Sequence, residues 1–150
     1  MLKANIMPQV SQWLKRNQAD NTTPLCIMVI GDDQECSMAI SNALLEKGCE
    51  AITSSNVLEA LLILDERGLP DLLIGDFKTP QVDGKTLIEK MRIRFGRRTL
   101  PPIVFLLDSP EDEVMALELG IDDVVPKSAE APATIEALWK VIGHLEQKAQ

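Results

Sequence analysis

The stretch Asp71 to Gly84 reads DLLIGDFKTPQVDG. Its first half is a continuous apolar run of strand length, Leu72 to Gly75, and it stops on a carboxylate, Asp76. A strand apolar on both faces is buried on both faces, which is the habit of parallel sheets covered by helices. The second half holds Pro80 and the pair Asp83 and Gly84, residue types that shape turns. Outward from this stretch, strand-like runs alternate with helical periodicity. The predicted strands are Leu25 to Ile30, Glu50 to Thr53, Leu72 to Gly75, Ile103 to Leu107 and Asp123 to Val125. Val57, Ala60, Leu61 and Leu64 fall at helical spacing, as do Ile135, Leu138, Trp139 and Ile142. Three more helices are predicted, Glu35 to Lys47, Lys85 to Phe95 and Glu111 to Leu119, each followed by a glycine suited to a helix end. Ser109 and Pro110 read as the cap and first turn of the last of these. Five strands alternating with five helices imply an α/β domain with a parallel sheet.

At 150 residues the chain matches one domain with a sizeable core. A hydrophobic fraction of 45% and a charged fraction of 25% exclude disordered and fibrous classes. No apolar run approaches the roughly 20 residues of a membrane helix. The first residues lack a charged leader before an apolar segment, so a cytoplasmic location without a membrane partner is expected. The net charge of -8 repels nucleic acid, and no direct nucleic-acid contact is expected. Arg92, Arg94, Arg97 and Arg98 read as a solvated helix end, where cations favour the dipole. Cys26, Cys36 and Cys49 lie in or beside apolar segments without metal-ligand spacing and read as reduced structural thiols.

Residues 1–24 stand outside the alternation and are read as an N-terminal extension, a short helix carrying Val10, Trp13 and Leu14 followed by a polar linker. Trp13 is expected to cover apolar surface of the domain. Residues 144–150 are read as the end of the last helix.

The acids are placed with a pattern. Asp32 and Asp33 follow the first strand and Asp76 ends the third. In open α/β sheets ligands sit beyond the carboxyl ends of the strands, where the strand order reverses, so these three acids are expected to converge there. Carboxylates that close repel one another unless a proton or a cation intervenes. Mg²⁺ suits such a site, since it takes oxygen ligands, keeps several waters and commonly binds through one or two carboxylates. The pair Asp32 and Asp33 alone reads equally well as a turn or a helix cap; Asp76 at a second strand end favours the metal. Lys127 follows the fifth strand and brings an ammonium group to the same edge, suited to a phosphate oxygen. Carboxylate, metal and fixed cation are the parts that phosphoryl transfer to Asp76 needs.

At this point three motifs, in order and spacing, resemble the receiver domain of bacterial two-component response regulators. They are VIGDD (Val29 to Asp33), DLLIGDFKTPQVDG and ELGIDDVVPK (Glu118 to Lys127). The resemblance covers about Leu25 to Gly143, read as the receiver domain. It implies a doubly wound, CheY-like five-stranded sheet of order 2-1-3-4-5, flanked by five helices. It further implies an acceptor Asp76 that takes a phosphoryl group from a histidine kinase or phosphotransfer protein, with Mg²⁺ held by Asp32, Asp33, Asp76 and the backbone carbonyl of Lys78. Lys127 would contact the phosphoryl group, while Pro80 and Gly84 shape the loop after Asp76. Such a domain is a signalling phosphoacceptor acting on a downstream protein partner, not an enzyme with a separate substrate, although self-catalysed phosphotransfer and dephosphorylation belong to it. A homodimer is compatible with the family and not specified by the sequence.

The switch positions depart from the family. Leu107 and Asp108 stand where receivers usually carry Thr or Ser and a small residue, and Val124 replaces the usual aromatic. Ser128 stands where Pro usually follows the lysine. An ion pair between Lys78 and Asp108 across the site is expected from these changes. The competing function is a phosphorylation-independent pseudo-receiver, a protein interaction module using the faces of its fourth helix, fifth strand and fifth helix. A nucleotide- or flavin-binding enzyme is disfavoured, because no Gly-rich phosphate loop follows Gly31. His144 reads as a surface residue of the last helix.

Overall fold

A computed structural model describes residues 24–96 and 100–149, with side chains described through residue 145. The N-terminal extension with Val10, Trp13 and Leu14, and the pair Arg97 and Arg98, lie outside the described residues.

The elements alternate along the chain as β1 (Cys26–Ile30), α1 (Gln34–Glu46), β2 (Glu50–Ser54), α2 (Val57–Arg67), β3 (Leu72–Asp76) and α3 (Gly84–Phe95). They continue with β4 (Ile103–Leu107), a single 3₁₀ turn (Pro110–Asp112), α4 (Glu113–Glu118), β5 (Asp123–Pro126) and α5 (Ala131–Ala149). The five strands are parallel and ordered β2-β1-β3-β4-β5. This is the expected doubly wound sheet with five helices. The order reverses between β1 and β3, because the chain leaves β1 for β2 on one side and returns to build β3, β4 and β5 on the other.

Side chains of a strand alternate between its two faces, and the core divides accordingly. On one face Ile27, Val29, Leu72, Ile74, Val104 and Leu106 pack against Ile40 and Leu44 of α1 and Leu138, Trp139 and Ile142 of α5. On the other face Met28, Ile30, Leu73 and Phe105 meet Ala60, Leu61 and Leu64 of α2, Leu87, Ile88 and Met91 of α3, and Ala116 of α4. Both periodic segments singled out in the sequence therefore bury the faces expected of them. Each such Leu or Ile contributes about 1.5–3 kcal/mol relative to exposure. β3 and β4 are buried at every residue, as the continuous apolar runs require.

Several boundaries shift by a residue, and three differences bear on the site or the sheet edge. The segment Glu111 to Leu119 does not form one helix. Ser109 caps the 3₁₀ turn, accepting from Glu111 N at 3.4 Å, and α4 begins only at Glu113. β3 runs one residue further and includes Asp76, whose register partner on β4 is Leu106. Pro126 closes β5, which lies at the sheet edge and so tolerates the missing N–H.

Candidate functional site

Three backbone segments converge at the carboxyl edge of the sheet. Beyond β1, Gly31 N donates to Ser54 O at 2.9 Å, and the chain turns through Asp32 and Asp33 into α1. Beyond β3, Phe77 N donates to Leu106 O at 3.0 Å, fixing the backbone next to Asp76. Beyond β5, Lys127 N donates to Leu107 O at 2.8 Å, so this lysine is anchored on β4 before its side chain leaves the sheet.

Asp76 is 2% exposed. Its Oδ1 accepts a hydrogen bond from Lys127 Nζ at 3.2 Å, and the lysine side chain is itself only 10% exposed. Burial pushes the Asp76 carboxyl above the usual carboxylate value. Lys127 offsets part of that rise by its charge and hydrogen bond, while Asp108 and Asp32 add to it. Burial lowers Lys127, yet Asp76, by charge and hydrogen bond, and then Asp108 hold it on balance above the ordinary lysine value. The site thus carries more negative charge than Lys127 neutralises.

The sequence-predicted residues fall in distinct places. Asp32 is half-buried and close enough to Asp76 to raise its pKa. Asp33 is the N-cap of α1; its Oδ1 accepts from Cys36 N at 3.2 Å, and its Oδ2 lies 3.9 Å from Lys127 Nζ. The cap reading of that residue is realised, and its carboxylate also lies beside Lys127. Lys78 is exposed and its backbone bridges to Asp83 across the loop. The expected Lys78 to Asp108 ion pair is absent among the described residues, since the only ion pairs of Lys or Arg in this region are those of Lys127 with Asp76 and Asp33. The backbone of Lys78 is tied to its own loop, and Asp108 is exposed. Leu107 and Val124 are buried at 5% and 8% exposure and pack with the α2, α3 and α4 face of the core. They offer the site no donor.

The loop after Asp76 is held by short contacts. Thr79 N donates to Val82 O at 2.8 Å, Val82 N to Thr79 Oγ1 at 3.1 Å, and Gly84 N to Phe77 O at 2.7 Å. A β-carbon on Gly84 would stand 2.8 Å from Phe77 Cδ1 and 2.9 Å from Phe105 Cζ, so glycine is what lets α3 start against those rings. Asp83 caps α3 by accepting from Lys85 N and Thr86 Oγ1, both at 3.1 Å.

Two neighbours of Asp76 escaped the sequence reading. A β-carbon on Gly31 would fall 2.8 Å from Asp76 Oδ2 and 3.0 Å from Ser37 Oγ. Ser37 lies on α1 and is 8% exposed. A glycine directly after an apolar strand and a serine within a buried helix stripe were the available signals.

The donor set fits a hard divalent ion: it is all oxygen, it includes one buried carboxylate, and it is electrically under-neutralised. Among the described residues no three His, Cys, Asp or Glu side chains form a ready metal cage. A site of one or two carboxylates completed by a carbonyl and water is the habit of Mg²⁺ more than that of zinc or calcium. No helix among the described residues is long and apolar enough to cross a membrane.

Comparison with known proteins agrees with this architecture. Residues 27–139 match the response regulator receiver domain family. An uncharacterised 14.6 kDa protein of the sodA1 3′ region of Leptolyngbya boryana is 34% identical over 102 residues, covering 67% of this chain and 77% of that protein. The DNA-binding transcriptional regulator NtrC of Escherichia coli is 27% identical over 83% of this chain, which spans only 26% of NtrC. Among solved structures, the receiver domain of the Francisella response regulator 1452 superposes with a TM-score of 0.65 at 24% identity, covering 84% of this chain and 99% of that one. Response regulator TrrA of Thermotoga maritima, solved in complex with Mg²⁺ and BeF, gives 0.61 at 24% identity, covering 78% and 98%. On the family match and the shared fold, this chain belongs to the response regulator receiver domains of two-component signal transduction.

Proposed function

We propose that the chain accepts a phosphoryl group on Asp76 from a histidine kinase or phosphotransfer protein, in a Mg²⁺-dependent reaction. The observation that carries this reading is the buried Asp76 at the end of a central strand with Lys127 Nζ 3.2 Å from its Oδ1. In the reaction a carboxylate oxygen of Asp76 bonds to phosphorus, the bond from phosphorus to the donor's imidazole nitrogen breaks, and the electron pair leaves with that nitrogen. Lys127 holds the carboxylate in place and neutralises charge that develops on the phosphoryl oxygens. Asp32, Asp33, Asp76 and the Lys78 carbonyl are the groups that would hold Mg²⁺, Asp33 serving also as helix cap and second partner of Lys127. The bound ion supplies charge neutralisation between carboxylates and phosphoryl oxygens. TrrA, a relative of the same fold, carries Mg²⁺ with BeF, which supports this assignment.

The burial of Leu107 and Val124 favours a second reading for the output. With no hydroxyl on Leu107 and no aromatic at Val124, the signal passes to a downstream protein partner without those side chains, or the domain binds that partner independently of phosphate. A cytoplasmic site of action goes with the phosphoacceptor reading. Incubation with acetyl phosphate and Mg²⁺, followed by intact mass, tests it. A phosphoryl adduct in the wild type that is absent in Asp76→Asn supports the phosphoacceptor, and no adduct in either protein supports the phosphate-independent module.

A further inference from the structure

We propose that the hydroxyl of Ser37 donates a hydrogen bond to the acyl phosphate formed on Asp76, on the Oδ2 side, through a recess kept open by Gly31. The inference rests on the phosphoacceptor reading and adds a binding residue to it. α1 buries a stripe of Cys36, Ser37, Ile40 and Leu44. Cys36 and Ser37 both lie in its first turn, at the carboxyl edge of the sheet, and the serine carries the stripe's hydroxyl. Ser37 is 8% exposed, and a hydroxyl in so confined a place gains from a polar group formed beside it. Asp76 Oδ2 lies 2.8 Å and Ser37 Oγ 3.0 Å from the point where a Gly31 β-carbon would be, so the two oxygens face the same small recess, which an oxygen of the phosphoryl group would enter.

The other side chains near Asp76 are poorer donors for this side, the Cys36 thiol next to Ser37 being a weak one. Lys127 occupies Oδ1. Leu107 and Val124 carry no donor, and Asp108 is an acceptor when ionised. Ser54, the other buried serine at this edge, already donates to Asn56 O at 3.0 Å. A lysine on one oxygen and a hydroxyl on the other would orient the carboxylate, and after phosphorylation both would face the new group. Gly31 acts here as a positioning residue: any β-carbon at that place displaces Oδ2.

The test titrates wild type, Ser37→Ala and Gly31→Ala with beryllofluoride in excess Mg²⁺, following bound fluoride by ¹⁹F NMR. Mg²⁺ affinity alone and urea midpoints are measured on the same proteins. Beryllofluoride stands in for the phosphoryl group. The expected result is beryllofluoride affinity lowered about tenfold in Ser37→Ala, as for loss of one charge-assisted hydrogen bond, with Mg²⁺ affinity and urea midpoint near wild type. Gly31→Ala is expected to weaken beryllofluoride by at least as much. Unchanged beryllofluoride affinity in Ser37→Ala overturns the proposal, and so does a parallel loss of Mg²⁺ affinity, which would make Ser37 a support of the metal site. A wild type that binds Mg²⁺ but no beryllofluoride defeats the phosphoacceptor reading itself, and this inference falls with it.

Discussion

Lys127 Nζ stands 3.2 Å from Asp76 Oδ1, joining residues 51 apart in sequence at the carboxyl edge of the sheet. The pair is nearly buried, yet it does not bring Asp76 back to an ordinary acidity, because burial and the charges of Asp108 and Asp32 outweigh the lysine. Domain stability is therefore spent on keeping a charged nucleophile in a confined place.

The first expectation follows from that imbalance. The folded-state pKa of Asp76 lies above its unfolded value, so the folded protein binds this proton more tightly. The stability attributable to the group is full below the ordinary carboxylate value of 3.8 and is lost as pH rises through the raised folded value. Asp76→Asn removes the penalty. In metal-free buffer its melting temperature should exceed that of wild type by about 2–4 °C at pH 7.5, for a gain of about 1 kcal/mol. The difference should shrink as pH falls into the range where Asp76 protonates. Thermal unfolding by circular dichroism at several pH values checks both the sign and the trend.

Lys127→Met leaves the buried carboxylate without its cation. A loss of about 2–3 kcal/mol is expected at pH 8, at or below the usual range for breaking a buried pair because Asp76 can take up a proton instead. The deficit relative to wild type should diminish at lower pH. Urea unfolding at two pH values measures it, and a pH-independent deficit would count against the pairing as the cause.

Asp33→Ala separates the cap from the site. Removing the side chain that accepts from Cys36 N should destabilise the domain by about 1 kcal/mol, read as a lower urea midpoint. Its 3.9 Å contact with Lys127 is half-exposed, so the Asp76 to Lys127 pair should persist and phosphorylation should slow less than in Asp32→Ala. Comparing the labelling rates of the two variants decides between a shared and a divided role for these acids.

Gly84→Ala tests the packing after Asp76. A methyl group 2.8 Å from Phe77 and 2.9 Å from Phe105 overpacks that corner, and a loss of about 1–3 kcal/mol is expected from equilibrium unfolding. The displaced loop carries the Lys78 carbonyl, so Mg²⁺ affinity should fall alongside stability.

Much of this was legible in one dimension. The continuous run Leu72 to Gly75 and its counterparts revealed a sheet buried on both faces, and Gly48 and Gly120 sit at φ 84° and 82° where helix ends were expected. Asp76 and Lys127 could be placed because both end strands, and strand ends at one edge must converge. What escaped depends on register and turn geometry. The pairing of Ile30 with Gly75 brings Gly31, not an acid, against Asp76 Oδ2. Whether Asp32 or Asp33 caps α1 is decided by the turn between β1 and α1, and spacing alone does not reveal it. The expected Lys78 to Asp108 pair is absent; both residues are exposed, and spacing in the sequence does not reveal how two loops from different strands face each other. Ser109 caps as foreseen, but it caps a 3₁₀ turn and not one helix from Glu111 to Leu119, and α4 spans only Glu113–Glu118.

The central claim is that Asp76 is the phosphoacceptor, and reductive trapping tests it most directly. The protein is incubated with acetyl phosphate and Mg²⁺ and then treated with sodium borohydride, which reduces an aspartyl phosphate to homoserine; tandem mass spectrometry locates the product. Homoserine at position 76, absent without Mg²⁺ and absent in Asp76→Asn, is the expected result. Homoserine at another aspartate, or none in a folded protein that binds Mg²⁺, would contradict the account.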